Sequence, residues 1–342
     1  MKKIIILLVL FVFILTSCNH NEEKETICDH IYDYSLNDDK TNIICKCQNC
    51  DYSYEIAPNF SFSYNYGYLD VERFLNKNNA QKLYINIYLK LLEFFNSKID
   101  LESSVKNNEK VYEIASLNYS NLGLTKEEAM AIWHLVILDN PEFYFVEKKV
   151  LTSTTDIIVL CNKLYAKHEQ RKTVDDKILE LKNHSFKSKN TLEKISEIHD
   201  YVIDNMTYAY DYNNGEKMPK TDFDSYELSG ALLYKEGVCE AYAKLFSYIL
   251  KCNGIMSIMY TGNGILLSGE SVRHAWTLVK IENLYYGFDL TWDDSNSNRD
   301  NYGLSYENLS ARHQVIPFAS SSLKNGIDYI YKMPQMAENN LI

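Results

Sequence analysis

Gly237-Val238-Cys239-Glu240-Ala241-Tyr242-Ala243, with the run that follows it to Lys251, is the stretch whose reading decides the fold. From the cysteine onward, apolar or small residues fall at Cys239, Tyr242, Ala243, Phe246, Ile249 and Leu250, the spacing of a helix with one buried face. Gly237 precedes this run and Gly254 follows it, where a left-handed residue commonly ends a helix. Cys239 therefore falls in the first turn, at the positive end of the macrodipole, among backbone N–H groups without helical partners. That setting favours the thiolate, the form that attacks carbonyl carbon. A lone cysteine is more often a small buried hydrophobe; residues further along the chain argue against that reading here.

Past Gly254 the pattern becomes strand-like. Arg273-His274-Ala275-Trp276-Thr277-Leu278-Val279-Lys280-Ile281 leads through Glu282-Asn283 into Leu284 to Trp292. A two-residue turn at Glu282-Asn283 sets Ile281 opposite Leu284 and His274 opposite Thr291, with Asp289 on the same face as His274. A diagonal separation of about 7–8 Å is one that these two side chains can close. Asp289 then orients one imidazole nitrogen while the other meets an incoming thiol, which supplies nucleophile, base and orienter. The reading depends on register, because a slip of one residue puts the two on opposite faces.

These blocks resemble the transglutaminase-like superfamily, a branch of the papain-like thiol enzymes. The resemblance is carried by Gly230-Ala231-Leu232, by Gly237 to Ala243, by His274-Ala275-Trp276 and by Asp289-Leu290-Thr291-Trp292-Asp293-Asp294, and Tyr302 to His313 resembles the tail that follows in bacterial members. It covers roughly residues 186–320. It implies an α+β fold in which the cysteine helix packs on an antiparallel sheet, with Cys239 as nucleophile, His274 as base and Asp289 as orienter. The activity implied is acyl transfer from peptide or glutamine-type amides through a thioester, with no catalytic cofactor. Water as acceptor makes a protease or amidase, and an amine makes a transglutaminase. The other reading is a non-catalytic envelope binding or scaffold module that keeps the fold. The second oxyanion donor beside the Cys239 N–H is unassigned, with Tyr208 and Tyr210 as candidates.

The start of the chain reads as an export signal. Lys2-Lys3 precedes the apolar stretch Ile4 to Leu15, too short to span a bilayer. Leu15-Thr16-Ser17-Cys18 resembles the lipobox of bacterial lipoproteins, which implies a lipid anchor on Cys18 and an extracytoplasmic protein held at the cell membrane; a plain signal peptide cleaved nearby is the alternative. The expected partners are that membrane and a peptide or protein substrate. The net charge is −11 and no basic run interleaves with aromatics, which excludes a nucleic-acid partner on composition.

Eight cysteines in an exported chain first suggest disulfides. Cys239 and Cys252 cannot pair, since one helix holds them about 20 Å apart. Cys28-Asp29-His30 and Cys45-Lys46-Cys47-Gln48-Asn49-Cys50 form two close ligand groups, and Cys28, His30, Cys47 and Cys50 make the best tetrahedral set, with Cys45 spare. A segment this short has no core of its own, so either structural zinc or disulfides must hold it. It resembles the zinc-ribbon-like knuckles of some bacterial surface proteins. The expected organisation is a signal peptide (1–17), a tether (18–27), the knuckle (28–56), a mostly helical accessory region (57–185) and the transglutaminase-like domain (186–342). Within the accessory region Tyr84, Tyr88, Leu91, Leu92 and Phe95 predict one helix, and Thr125-Lys126-Glu127-Glu128 a capping box that opens another. Phe143 to Val150 and Asp156 to Cys161 predict two strands, and Asp211 to Asp224 a polar loop beside a cleft.

Overall fold

Alternation on one short strand explains the N-terminal unit. In a computed structural model, which describes residues 28, 32–39, 41–56, 65, 69, 74, 76–213, 215–315 and 333–341, β1 (Tyr32–Leu36), β2 (Ile43–Cys47) and β3 (Ser53–Ile56) form an antiparallel meander with β2 central. Ile43, Cys45 and Cys47, every second residue of β2, are buried. The expected signal segment, Cys18 and His30 lie outside the described residues.

Helix α1 (Lys77–Phe95) carries the predicted stripe and is buried well beyond it, at Leu83, Ile85, Ile87, Leu89 and Phe94 as well. Next comes a hairpin the sequence reading did not anticipate, β4 (Ser103–Lys106) and β5 (Glu109–Asn118). Its turn is Asn107-Asn108, both left-handed at φ 50° and 64°, a conformation asparagine tolerates better than most residues. Helix α2 (Lys126–Asp139) begins with both bonds of the expected capping box, Glu128 N–H to Thr125 Oγ1 at 3.1 Å and Thr125 N–H to Glu128 Oε2 at 2.7 Å.

After α2 the expected strand Phe143–Val150 is absent. Phe143, Tyr144 and Phe145 are all buried, with no alternation to build a strand from, and only Val146 bridges Cys161. The strands there are β6 (Leu151–Thr152) and β7 (Asp156–Cys161), which complete a sheet in the order β4-β5-β7-β6. Helix α3 (His168–Lys182) follows. The accessory stretch therefore combines three long helices with a four-stranded sheet, where the sequence predicts mostly helix and two strands.

Asn190 caps α4 (Thr191–Asn205) through its side-chain oxygen, 2.8 Å from the Leu192 N–H. β8 (Thr207–Tyr208) precedes an exposed hairpin, β9 (Tyr210–Asn213) with β10 (Glu216–Pro219), in place of the expected irregular loop. Then come α5 (Leu228–Leu233), β11 (Glu236–Gly237) and α6 (Cys239–Cys252). Helix α6 packs on β12 (Ser257–Ile265) and β13 (Ser271–Ile281), the centre of a five-stranded antiparallel sheet. Its other members are β14 (Leu284–Phe288), then, after α7 (Leu290–Asn296), β15 (Tyr302–Leu304), and, after α8 (Tyr306–Ser310), β16 (His313–Val315), in the order β15-β14-β13-β12-β16. This is the α+β, papain-like arrangement expected, a cysteine-bearing helix on an antiparallel sheet. One apolar cluster runs through α1, α2, α4, α6 and the five-stranded sheet, so the accessory stretch and the cysteine helix share a core.

Candidate active site

The predicted turn register holds near the turn and fails beyond it. Ile281 faces Leu284 and Thr277 faces Phe288, but β14 ends there at a bulge and α7 begins at Leu290. His274 is therefore not opposite Thr291; its strand partner is Gly262 on β12. The chain compensates by making Asp289 the N-cap of α7. Its Oδ1 accepts from the Trp292 N–H at 3.2 Å, while Oδ2 lies 2.7 Å from His274 Nε2. One carboxylate thus starts a helix and holds an imidazole, and both residues are buried.

Cys239 is the first residue of α6, and its N-cap, Val238, has no capping side chain. The extended Val238 donates its N–H to the Ser225 carbonyl at 2.8 Å, and Gly237 pairs with Tyr208 across the parallel β11–β8 contact. A side chain at 237 would lie 2.4 Å from the Ala241 Cβ, so only glycine lets the chain turn this sharply into α6. The thiol packs against Ala243, Met259 and Ala275 and lies near enough to His274 to raise its proton affinity.

The electrostatics follow from this chain of contacts. Burial alone would lower the His274 pKa, but the charge and hydrogen bond of Asp289, then those of Cys239, outweigh it and raise it to about 10. Burial would likewise raise Asp289, yet His274 and then His313 hold its carboxyl well below the usual range. His274 is accordingly an imidazolium through the neutral range. Trp292 stacks on its ring at 4.6 Å and 15°. Gly264 makes that stack possible, for a Cβ there would come 2.8 Å from the Trp292 ring and 3.1 Å from His274.

Burial, then the charge of Cys239, pushes the phenols of Tyr208 and Tyr226 up. Tyr210 stands behind Tyr208, ring centroids 4.7 Å apart, with Lys217 Nζ 3.7 Å over its own ring. Tyr226 had no part in the sequence reading; it precedes the glycine block by only four residues and carries no motif of its own. His199 and His313 were also without assigned roles. His199 Nε2 lies 3.0 Å from Asp293 Oδ2, whose other oxygen accepts from the Asn301 N–H at 2.8 Å, and the Asn301 carbonyl accepts from the Asp289 N–H at 3.0 Å. A second buried His–Asp pair thus anchors the loop that presents Asp289.

The N-terminal cysteines form a separate group. Among the described residues Cys28, Cys47 and Cys50 lie with their sulfurs within 4.8 Å of one another, and Cys28 Sγ is 3.7 Å from Cys47 Sγ. That exceeds the roughly 2.05 Å of a disulfide and matches the edge of a tetrahedron with metal–sulfur bonds of about 2.3 Å. Hydrogen bonding with Cys50, then burial, pushes the Cys28 thiol up to about 12. Cys45, the expected spare, is buried on β2 and hydrogen-bonded to Tyr54. His30 and Cys18 lie outside the described residues, so neither enters this geometry.

Residues 177–303 match the family model of a transglutaminase-like domain. Solved structures with the same kind of partial likeness include a candidate cysteine protease from Cytophaga hutchinsonii at 18% identity, covering 38% of this chain and 39% of that one with a TM-score of 0.24. Another is described as a TGase, at 15% identity, 42% and 43% coverage and a TM-score of 0.29. A third is the periplasmic domain of TgpA from Pseudomonas aeruginosa, at 19% identity, 37% and 43% coverage and a TM-score of 0.24. The chain thus spans less than half the length of these structures. No curated protein matches it. None of the described helices is long and apolar enough to cross a membrane.

Proposed function

We propose that the protein is a thiol enzyme that transfers acyl groups from peptide or glutamine-type amides. The observation that carries this reading is the grouping of Cys239, at the first turn of α6, with a buried His274 whose Nε2 lies 2.7 Å from Asp289 Oδ2. In the proposed reaction Cys239 Sγ bonds to the amide carbonyl carbon, and the negative charge that develops on its oxygen is met by the Cys239 backbone N–H and the Tyr208 hydroxyl. The C–N bond then breaks as His274 gives its proton to the departing amine, leaving a thioester. An acceptor, water or a second amine, loses a proton to His274 as it attacks the thioester carbon, and the thiolate leaves. Asp289 keeps His274 in one tautomer and orientation throughout.

Cys28, Cys47 and Cys50 are proposed to hold a structural zinc, with His30 as the fourth ligand. The donors suit it: three cysteine sulfurs lie within 4.8 Å of one another, and a divalent metal favours the thiolate form that binds it. The metal's part would be to fix the meander. Cys18 is proposed as the lipid-bearing residue that places the protein at the outer face of the membrane.

The test is incubation of the purified protein with casein or a glutamine peptide and a labelled amine. Cleavage or incorporation that vanishes in Cys239→Ala supports the reading. The same outcome distinguishes the acceptor, since new amino termini report water and retained label reports the amine. Neither product at any pH, with Cys239 intact, would support the binding-module alternative.

A further inference from the structure

Two histidines meet one oxygen in this site. Asp289 Oδ2 lies 2.7 Å from His274 Nε2 and 3.0 Å from His313 Nε2. The other nitrogen of His313, Nδ1, lies 3.1 Å from the Leu309 carbonyl oxygen, which can only accept. Nδ1 therefore carries hydrogen. A bare Nε2 would then turn its lone pair towards a carboxylate oxygen, so the contact is favourable only if Nε2 carries hydrogen too. His313 is held in this pose by its place on the edge strand β16, paired with Gly264 of β12, and by the rings of Trp276 at 4.9 Å and Trp292 at 4.6 Å. Its side chain is 1% exposed.

We propose that His313 is a positioning residue for the acyl-transfer reaction, sharing Asp289 Oδ2 with His274 and so setting how tightly that carboxylate holds the His274 proton. The inference rests on the thiol-enzyme reading and deepens it. A carboxylate with His274 as its sole charged partner would grip the imidazolium strongly, and an imidazolium gripped too strongly is a poor acid towards a departing amine. The N–H of His313 takes part of the charge on Oδ2 and leaves His274 the readier donor. The support from electrostatics agrees, as His313 adds to His274 in holding the Asp289 carboxyl low against its burial.

The charged and titratable groups around His313 are few. From β13 comes His274, and from the start of α7 comes Asp289. Arg312, its neighbour on the chain, puts its guanidinium 4.0 Å over the Trp292 ring and donates from Nε to the Ile265 carbonyl, with the indole between it and His274. The remaining contacts are the indoles and the α8 carbonyl. His313 lies outside the matched residues 177–303.

The experiment is the pH dependence of iodoacetamide alkylation at Cys239 in the full chain, which needs no substrate. It compares the wild type with His274→Ala, His313→Leu and His313→Gln, the last of which keeps an N–H donor at the position of Nε2. In the wild type the rate should depend on His274. In His313→Leu the limb that reports loss of the His274 proton should move up by about one pH unit, and amide turnover should fall on the order of 10-fold in kcat with KM unchanged. His313→Gln should return the limb most of the way. A slower reaction with an unmoved limb would make His313 merely structural and overturn the proposal. If His313→Leu does not fold, the ring-nitrogen shifts of His313 in the wild type decide: hydrogen on Nε2, facing Asp289 Oδ2, is expected, and a bare Nε2 would overturn the proposal. A wild-type rate indifferent to His274 would instead bring down the thiol-enzyme reading, and this proposal with it.

Discussion

Cys239 and Cys28 are the same residue in opposite surroundings. Cys239 sits at the first turn of a long helix, beside an imidazolium, on a sheet with a continuous core. Cys28 sits beside Cys47 and Cys50 in a three-stranded meander whose own buried face amounts to little more than β2. The first site brings its own positive charge, from His274 and the helix terminus, to a single sulfur. The second brings only more thiols, a donor set that suits the proposed structural zinc. Reactivity therefore belongs to the neighbours, and the comparison can be broken by changing them one at a time.

The largest effect should come from the atoms that react. Cys239→Ala should remove amide turnover, and His274→Ala should lower it by about 10⁴-fold or more, with the fold intact by circular dichroism. Asp289→Asn should cost on the order of 10²–10⁴-fold, since the amide can still cap α7 but no longer fixes the tautomer of His274. If Asp289→Asn retained wild-type turnover, the line from Cys239 to Asp289 would be a packing arrangement only.

Metal removal tests the other member of the comparison. Chelation should release about one zinc per chain and make Cys28, Cys47 and Cys50 open to alkylation, while Cys239 keeps its rate within about twofold. Protection of residues 32–56 against hydrogen exchange should fall, and that of the five-stranded sheet should stay. A protein that loses Cys239 reactivity along with the metal would show that the two sites are one unit, and thiols that need reduction before alkylation would favour disulfides.

The pH dependence of stability comes next in size. His274 is raised from 6.5 to about 10 by its partners, so the folded state binds its proton more tightly than the unfolded one. The resulting stabilisation is fully present below about pH 6.5 and is lost as pH rises through 10. It amounts to a few kcal/mol, at roughly 1.4 kcal/mol for each tenfold difference in proton affinity between the folded and unfolded chain. Urea midpoints between pH 6 and 10.5 should fall more steeply in the wild type than in His274→Gln. Parallel curves would mean that the imidazolium is no better held in the fold than in the open chain.

Why the sequence reading reached some of this and not the rest has a physical explanation. The cysteine helix, the capping box at Thr125 and the turn at Glu282 are local signals, written in periodicity and capping chemistry over a few residues. The contact between His274 and Asp289 was expected from a strand register that does not extend so far; it forms because Asp289 caps a helix, and a single aspartate before Leu-Thr-Trp reads equally as strand or cap. The β4–β5 hairpin was missed although Asn107-Asn108 marked it. Phe143 to Phe145 was misread as strand because buried aromatics look alike in either setting. His313 and His199 act through partners 24 and 94 residues away, a separation no local pattern records.

The smallest effect belongs to the charges nearest to Cys239 in sequence. Glu240 follows the nucleophile directly and is bound by Lys148 Nζ at 2.6 Å and Lys244 Nζ at 3.1 Å, and Lys148 also lies 4.6 Å over the Tyr226 ring. Lys148 belongs to the accessory stretch, so this is an ion pair between that stretch and the helix start. Its side chain is 42% exposed, however, and a pair so open to water contributes about 0.2–1 kcal/mol, less at high salt. Lys148→Ala leaves Glu240 with Lys244, which itself remains paired with Glu227 at 2.5 Å. The expected outcome is a stability loss below about 1 kcal/mol that fades in 0.5 M salt, with alkylation of Cys239 at neutral pH changed less than about threefold. A larger drop in reactivity would mean that the ionisation of Cys239 depends on the belt of charge around α6, and the contrast with Cys28 would then rest on Lys148 and Lys244 as much as on His274.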